Sequence, residues 1–312
     1  MELYREQLWR AWTATTSVAI KNSDMVDIPV SKAELMARVS GGESFDGGRT
    51  GAWLSSLGDG TTWRAVRSAT TGHTIHVVSD RPFADLTDDL RFGLRLMTWM
   101  SRRPVTWYWW DQPWTRVMPA NMDPRKEHLN GGWAVPGVLE VHVYRREEAH
   151  KVLLHEMVHA LNLDVKPVLV EPVRLQFEGL FGRRLWPHLG EAYTELFAEW
   201  LWCIARARTL GEAAQLWSYQ VECSTSQAAM VWARIRDATE DEDTNVFAYY
   251  VLKWVLMRSH LTMSLIGPNH SVRHWFTWFI DVKGELEQMA ARAAHTESEM
   301  VNMGMTCPSG LR

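Results

Sequence analysis

The segment Val152-Leu153-Leu154-His155-Glu156-Met157-Val158-His159-Ala160-Leu161 sets two histidines and a glutamate into an otherwise apolar run. On an α-helix, positions four apart share a face, so the imidazoles of His155 and His159 converge on one side. A helix that is apolar nearly all round is a buried one. Histidine and glutamate inside it need partners, because unpaired buried polar groups are costly. One cation serves both rings, and neutral imidazole nitrogen at roughly 2.0–2.1 Å suits Zn²⁺. Glu156 stands next to His155, where it reaches a water beside the ion rather than the ion itself. That is the place of a general base. The competing reading is a pair of core histidines satisfied by protein groups, since the bare H-E-x-x-H pattern also arises by accident among 12 histidines.

An open zinc site takes three protein ligands, and three sources compete for the third. The spacing H-E-x-x-H-x-x-G-x-x-H fails, because Asn162 and Val165 occupy its glycine and histidine positions. Asp164 is close in sequence but supported by no further pattern. Gly190-Glu191-Ala192-Tyr193-Thr194-Glu195-Leu196-Phe197-Ala198-Glu199 offers Glu191, Glu195 and Glu199 along one helical stripe. Such a stripe on an apolar helix faces either a cation or solvent.

H-E-x-x-H followed by a downstream E-x-x-x-(D/E) helix resembles the gluzincin branch of the zincin metallopeptidases, the thermolysin-like zinc peptidases. The resemblance implies Glu191 as third ligand and Glu195 as the carboxylate that orients a zinc-bound histidine. Glu195 as ligand with Glu199 behind it is the alternative register. It also implies an order of helix, strands and edge strand before the metal-binding helix, matched by helix 87–100, strand 105–110, the extended 131–135 and strand 138–144. Gly132, Trp133 and Ala134 are then expected to bind a peptide backbone by strand addition. The gap from His159 to Glu191 is longer than in thermolysin and contains Pro167, Pro172 and Pro187, which suggests an inserted subsite loop. The expectation that follows is a zinc-dependent metallopeptidase acting on a peptide or protein substrate, with Glu156 as base. The rival expectation is a zincin-like scaffold used for assembly or partner binding, with little turnover.

An oxyanion stabiliser is usually needed beside the metal. Tyr249 and Tyr250 are candidates on a downstream helix, with His260, His270 and His274 as rivals. Asn245, Tyr249 and Lys253 share a polar stripe, and Tyr250 lies with Val246 and Trp254 on the apolar side. Met303-Gly304-Met305 reads as packing, since no third histidine ligand accompanies it.

Farther out, the chain has 312 residues, 46% of them apolar, enough for a sizeable core. A net charge of −4 with mixed signs argues against a nucleic-acid binder. No stretch approaches the roughly 18 apolar residues of a membrane span, and the start MELYREQLWRAW lacks the pattern of a secretory signal. Three cysteines, Cys203, Cys223 and Cys307, make no disulfide framework, so the expected setting is cytoplasmic or another reducing compartment. Cys203 and Cys223 fall in apolar helical contexts and read as buried thiols. Eighteen tryptophans, clustered in Trp107-Tyr108-Trp109-Trp110 and Trp114, read as core packing or as an aromatic-lined surface.

The expected class is α+β: an N-terminal extension over 1–60, a zincin-like lobe over 61–164 ending in the H-E-x-x-H helix, and a mainly helical lobe over 165–312, with the active-site cleft between the lobes. Ser31–Val39 is a short capped helix and about 40–60 a Gly/Ser-rich loop. Thr61–Ser68 and His73–Val77 alternate as strands around the turn Thr70-Thr71-Gly72. Asp85 or Thr87 caps a helix through Met100, and Val105–Trp110 is a strand. Val138–Tyr144 alternates as a half-buried strand. Glu147 and Glu148 open the helix that runs to about Leu161, since the first helical turn favours acids. Helices follow over Gly190–Arg208, Gly211–Asp237, Asn245–Leu261 and about Lys283–Ala294.

Overall fold

The computed structural model describes residues 2–17, 24–39, 46–116, 125–259 and 272–293. The chain is α+β, with a six-stranded mixed sheet and a helical C-terminal region. It divides into two compact units, one of Glu6–Thr115 and Asn130–Leu163, the other of Met1–Arg5, Arg116–Leu129 and Asp164–Arg312.

The sheet unit is entered through helix α1 (Glu2–Ser17), followed by β1 (Met25–Ile28), α2 (Lys32–Val39), α3 (Arg49–Ser56), β2 (Thr62–Ser68) and β3 (Thr74–Ser79). Then come α4 (Phe83–Met100), β4 (Thr106–Asp111), β5 (Gly132–Ala134), β6 (Glu140–Val143) and α5 (Ala149–Ala160). The strand order is β1-β2-β3-β4-β6-β5. β4 runs parallel to both β3 and β6, and the outer pairs are antiparallel. A helical crossover is what a parallel pair requires, and α4 supplies it between β3 and β4.

β4 reads Thr-Trp-Tyr-Trp-Trp-Asp because it is buried on both faces. Trp107 and Trp109 turn toward α4 and α5: a side chain at Gly93 of α4 would collide with the Trp107 ring, and both indoles pack near His150 of α5. Tyr108 and Trp110 face the other way, into a cluster with Leu35 and Val39 of α2 and Trp53 and Leu54 of α3. The sheet thus lies between two helical layers, and this tryptophan run is core. Across the second face, His76, Tyr108, His142 and Trp133 occupy one register row and stack in sequence, with centroids 4.7, 4.7 and 3.9 Å apart. Burial lowers the pKa of His142, while the hydrogen bond from its Nε2 to Glu140 at 3.0 Å opposes that shift.

Several boundaries differ from the sequence reading. Ser31 and Glu34 form the expected reciprocal cap of α2, each backbone N–H bonded to the other's side chain. Within 40–60, however, α3 is helical rather than loop, because the Asp46 carboxylate accepts the N–H of Gly48 and Thr50 and starts it. α4 begins at Phe83 after Pro82, so Asp85 lies in its first turn and Thr87 inside it, bonded back to the Phe83 carbonyl. β6 is shorter than 138–144 and, with helices on one side and the ring stack on the other, is buried over Val141–Val143 instead of alternating. Glu147 and Glu148 precede α5 rather than forming its first turn.

The helical unit contains the short helix Lys126–Leu129, then α6 (Pro167–Phe181), α7 (Glu191–Arg206), α8 (Leu210–Ile235), a π-helical segment Phe247–Leu252, α9 (Lys253–Arg258), a 3₁₀ turn Val272–His274 and α10 (Trp275–Ala293). Its aromatic core joins Phe177, Phe181, Trp232, Phe247 and Phe279. Where the three prolines suggested a loop, the first two lie in α6, and Pro187 follows it in the non-helical stretch 182–190. Pro167 takes its first position, where no N–H is missed, and Pro172 is carried inside. Cys203 is a buried free thiol whose pKa is raised, by burial and then by Glu199. Cys223, against expectation, is disulfide-bonded. No helix among the described residues is long and apolar enough to cross a membrane.

Candidate metal centre

Within the sheet unit, α5 carries His155, Glu156 and His159 on a helix whose residues are almost all buried. His155 and Glu156 are each 5% exposed, and His159 is half-buried. The Nε2 atoms of His155 and His159 face each other at 3.1 Å, with ring planes 70° apart. Two nitrogens at about 2.05 Å from one tetrahedral ion stand about 3.4 Å apart. The observed separation is close to that, so the donor pair fits a zinc ion with little adjustment. It equally fits one N–H···N hydrogen bond between a donor tautomer and an acceptor tautomer.

α5 ends directly after this pair. Asn162 adopts a left-handed conformation with φ 55°. Its N–H bonds the His159 carbonyl at 2.9 Å, and the Leu163 N–H bonds the Val158 carbonyl at 2.9 Å. These two bonds are the Schellman arrangement, with asparagine in the place usually held by glycine. Asn162, one of the two residues that depart from the three-histidine pattern, is therefore the residue that stops the helix.

Glu156 faces the edge strand. A side chain at Gly132 would lie 3.0 Å from the Glu156 Cγ. Among the described residues β5 pairs only with β6, as Gly132↔Val143, Trp133↔His142 and Ala134↔Val141, and forms one border of the sheet. Gly132, Trp133 and Ala134 are each half-buried.

In the helical unit, Glu191 lies in the first turn of α7 and is half-buried. Glu195 and Glu199 follow it inward, both at 0% exposure. The stripe is thus no solvated acidic face. Glu199 lies 3.8 Å from the ammonium of Lys253, which is also fully buried. Lys253 and Asn245, expected on one polar stripe with Tyr249, are both interior groups. The π-helical geometry of Phe247–Leu252 adds residues per turn and shifts the faces away from α-helical spacing. Tyr250 is 0% exposed and Tyr249 8%, and the Tyr249 hydroxyl accepts a bond from Asn245 Nδ2 at 3.4 Å. Asp164, the nearby rival ligand, accepts the Thr194 hydroxyl at 2.9 Å. His274 is exposed and stacks on Trp278. His260, His270, Cys307 and Met303-Gly304-Met305 lie outside the described residues.

The sequence reading had no signal for the burial of Glu199 with Lys253, whose pairing is set by packing between α7 and α9. Compared with known proteins, the chain matches no family model, no curated protein and no solved structure.

Proposed function

We propose that this chain is a zinc-dependent metallopeptidase of zincin-like type, with His155 and His159 as ligands of the ion and Glu191, which the gluzincin resemblance implies, as the third. The observation that carries the reading is the pair of Nε2 atoms 3.1 Å apart on a buried helix, with a carboxylate at the intervening Glu156. A structural site has no use for that carboxylate. Bound there, zinc supplies polarisation of a carbonyl and acidification of water.

The chain's own groups supply the rest. Glu156 accepts a proton from water as the hydroxyl adds to the peptide carbonyl carbon, then delivers it to the amide nitrogen as the C–N bond breaks. β5, as a border strand, offers its free edge to an extended peptide, with Gly132, Trp133 and Ala134 beside it. Glu195, one turn inward of Glu191, is the group that orients a ligating imidazole. The other register, with Glu195 ligating and Glu199 behind it, is disfavoured because Glu199 is committed to Lys253. Of the two tyrosines, Tyr249 retains some surface and is the candidate hydrogen-bond donor to the oxyanion, whereas Tyr250 packs the interior.

Glu156→Gln tests this. Metal analysis should find about one zinc per chain in both wild type and variant, while cleavage of a quenched-peptide library by the variant falls by about 10²–10⁴-fold. Equal cleavage by the two proteins, or a wild type that retains no zinc, would overturn the assignment. Equal behaviour in every assay with zinc retained favours the scaffold role instead.

A further inference from the structure

We infer that Gly132 is a positioning residue for Glu156: its missing side chain leaves the space in which the general base's stem lies, and so fixes where the carboxylate stands. This rests on the peptidase reading above.

Gly132 is not glycine for conformational reasons, since its φ is not among the positive values that mark Gly47, Gly48, Gly72, Gly137 and Gly182. The reason is space. A Cβ at this position would lie 2.5 Å from the His142 carbonyl oxygen, 2.8 Å from Val152 Cγ1 and 3.0 Å from Glu156 Cγ. Real Cβ atoms essentially never come under 3.0 Å of another heavy atom, so something must move.

The neighbours differ in how far they can yield. The His142 oxygen belongs to the backbone of β6, which pairs with β4 on its other side. β5 cannot lift away freely, because it is laddered to β6 and Trp133 is stacked on the His142 ring at 3.9 Å on the opposite face. Val152 is β-branched and on a helix, where one χ1 rotamer dominates. Glu156 has the long, unbranched stem, and it sits one helical turn from Val152 on the same face. A methyl group at position 132 therefore forces a small shift of the β5 backbone away from the His142 oxygen and Val152, and presses on the Glu156 stem, the most compliant of the three neighbours. The contact asks the Glu156 stem to give by a few tenths of an ångström, and since misplacing a reacting group by about 1 Å costs about 10²-fold in rate, a loss of about tenfold follows.

The experiment uses Gly132→Ala, read in two ways. In crystal structures of the metal-free proteins, the variant should move the Glu156 carboxylate while His155 and His159 stay in place, and zinc affinity should remain within about twofold. In steady-state cleavage, kcat should fall about tenfold or more with KM changed less than about twofold. Adding Gly132→Ala to Glu156→Gln should lower the residual rate no further, because groups acting through one another are non-additive. Adding Val152→Ala, which clears the 2.8 Å contact, should restore part of kcat and keeps the test open if the single variant folds poorly. A Glu156 carboxylate that does not move, or a kcat loss that persists undiminished in the Glu156→Gln background, overturns the positioning role alone. A wild type that binds zinc and cleaves nothing overturns the reaction, and this role with it.

Discussion

His73 is buried with its Nδ1 accepting the Val105 N–H at 3.0 Å, and burial pushes its pKa from 6.5 down to about 4. The unfolded chain takes up this proton near its ordinary value, while the folded chain resists it until about pH 4. The stability His73 contributes is therefore complete above about pH 6.5 and is lost as pH falls through 4. His73→Asn keeps an acceptor for Val105 and removes the titration. Its melting temperature should drop less than that of the wild type between pH 7 and 4.5, and parallel pH profiles would count against the role. At this scale the convergence of His155 and His159 was legible because it is local: a fixed spacing on one helix face is enough. Glu195 and Glu199 were not, since nothing in a four-residue spacing says whether a stripe meets water or protein. Glu199 is answered by Lys253, from a distant element, and only the packed unit reveals the pair.

At the scale of elements, the end of α5 depends on one backbone angle. Asn162 stands at φ 55°, a region that glycine enters without cost and a β-branched residue enters poorly. Asn162→Gly should leave stability within a few tenths of a kcal/mol, whereas Asn162→Val should cost about 1–2 kcal/mol, read by urea denaturation. Equal midpoints for the two variants would show that the left-handed turn carries no strain. Elements with a strong period were readable in advance: β4 by its aromatic run, α4 by its leucines. α3 and α6 were not, because glycine, serine and proline mark loops on average while here Asp46 starts one helix and Pro167 the other. The π-helical segment was hidden for a different reason, since a helix wound at another pitch presents a different set of residues to each neighbour.

For the molecule as a whole, the class was legible from the order of strand and helix patterns, but the discontinuous make-up of the two units was not. Their membership is decided by long-range contacts, such as the parallel β4–β6 ladder that joins Asn130–Leu163 to the earlier strands. The helical unit also carries a buried ion pair in place of apolar packing. Lys253→Met leaves Glu199 charged in the interior and should destabilise the protein by about 3–5 kcal/mol. Combined with Glu199→Leu, much of that loss should return, as chemical denaturation can measure. If the double variant is as weak as the single one, shape rather than charge is what Lys253 provides.

The abrupt stop of α5 has one more effect. The aligned peptide groups of its turns leave about half a negative charge at the carboxyl end, and both imidazoles fall within the last two turns. A cation placed against them would meet the favourable pole of the helix, gaining about 0.3–1 kcal/mol, and an anion there would be repelled. The backbone alone thus selects the sign of the guest, before any ligand atom has been counted.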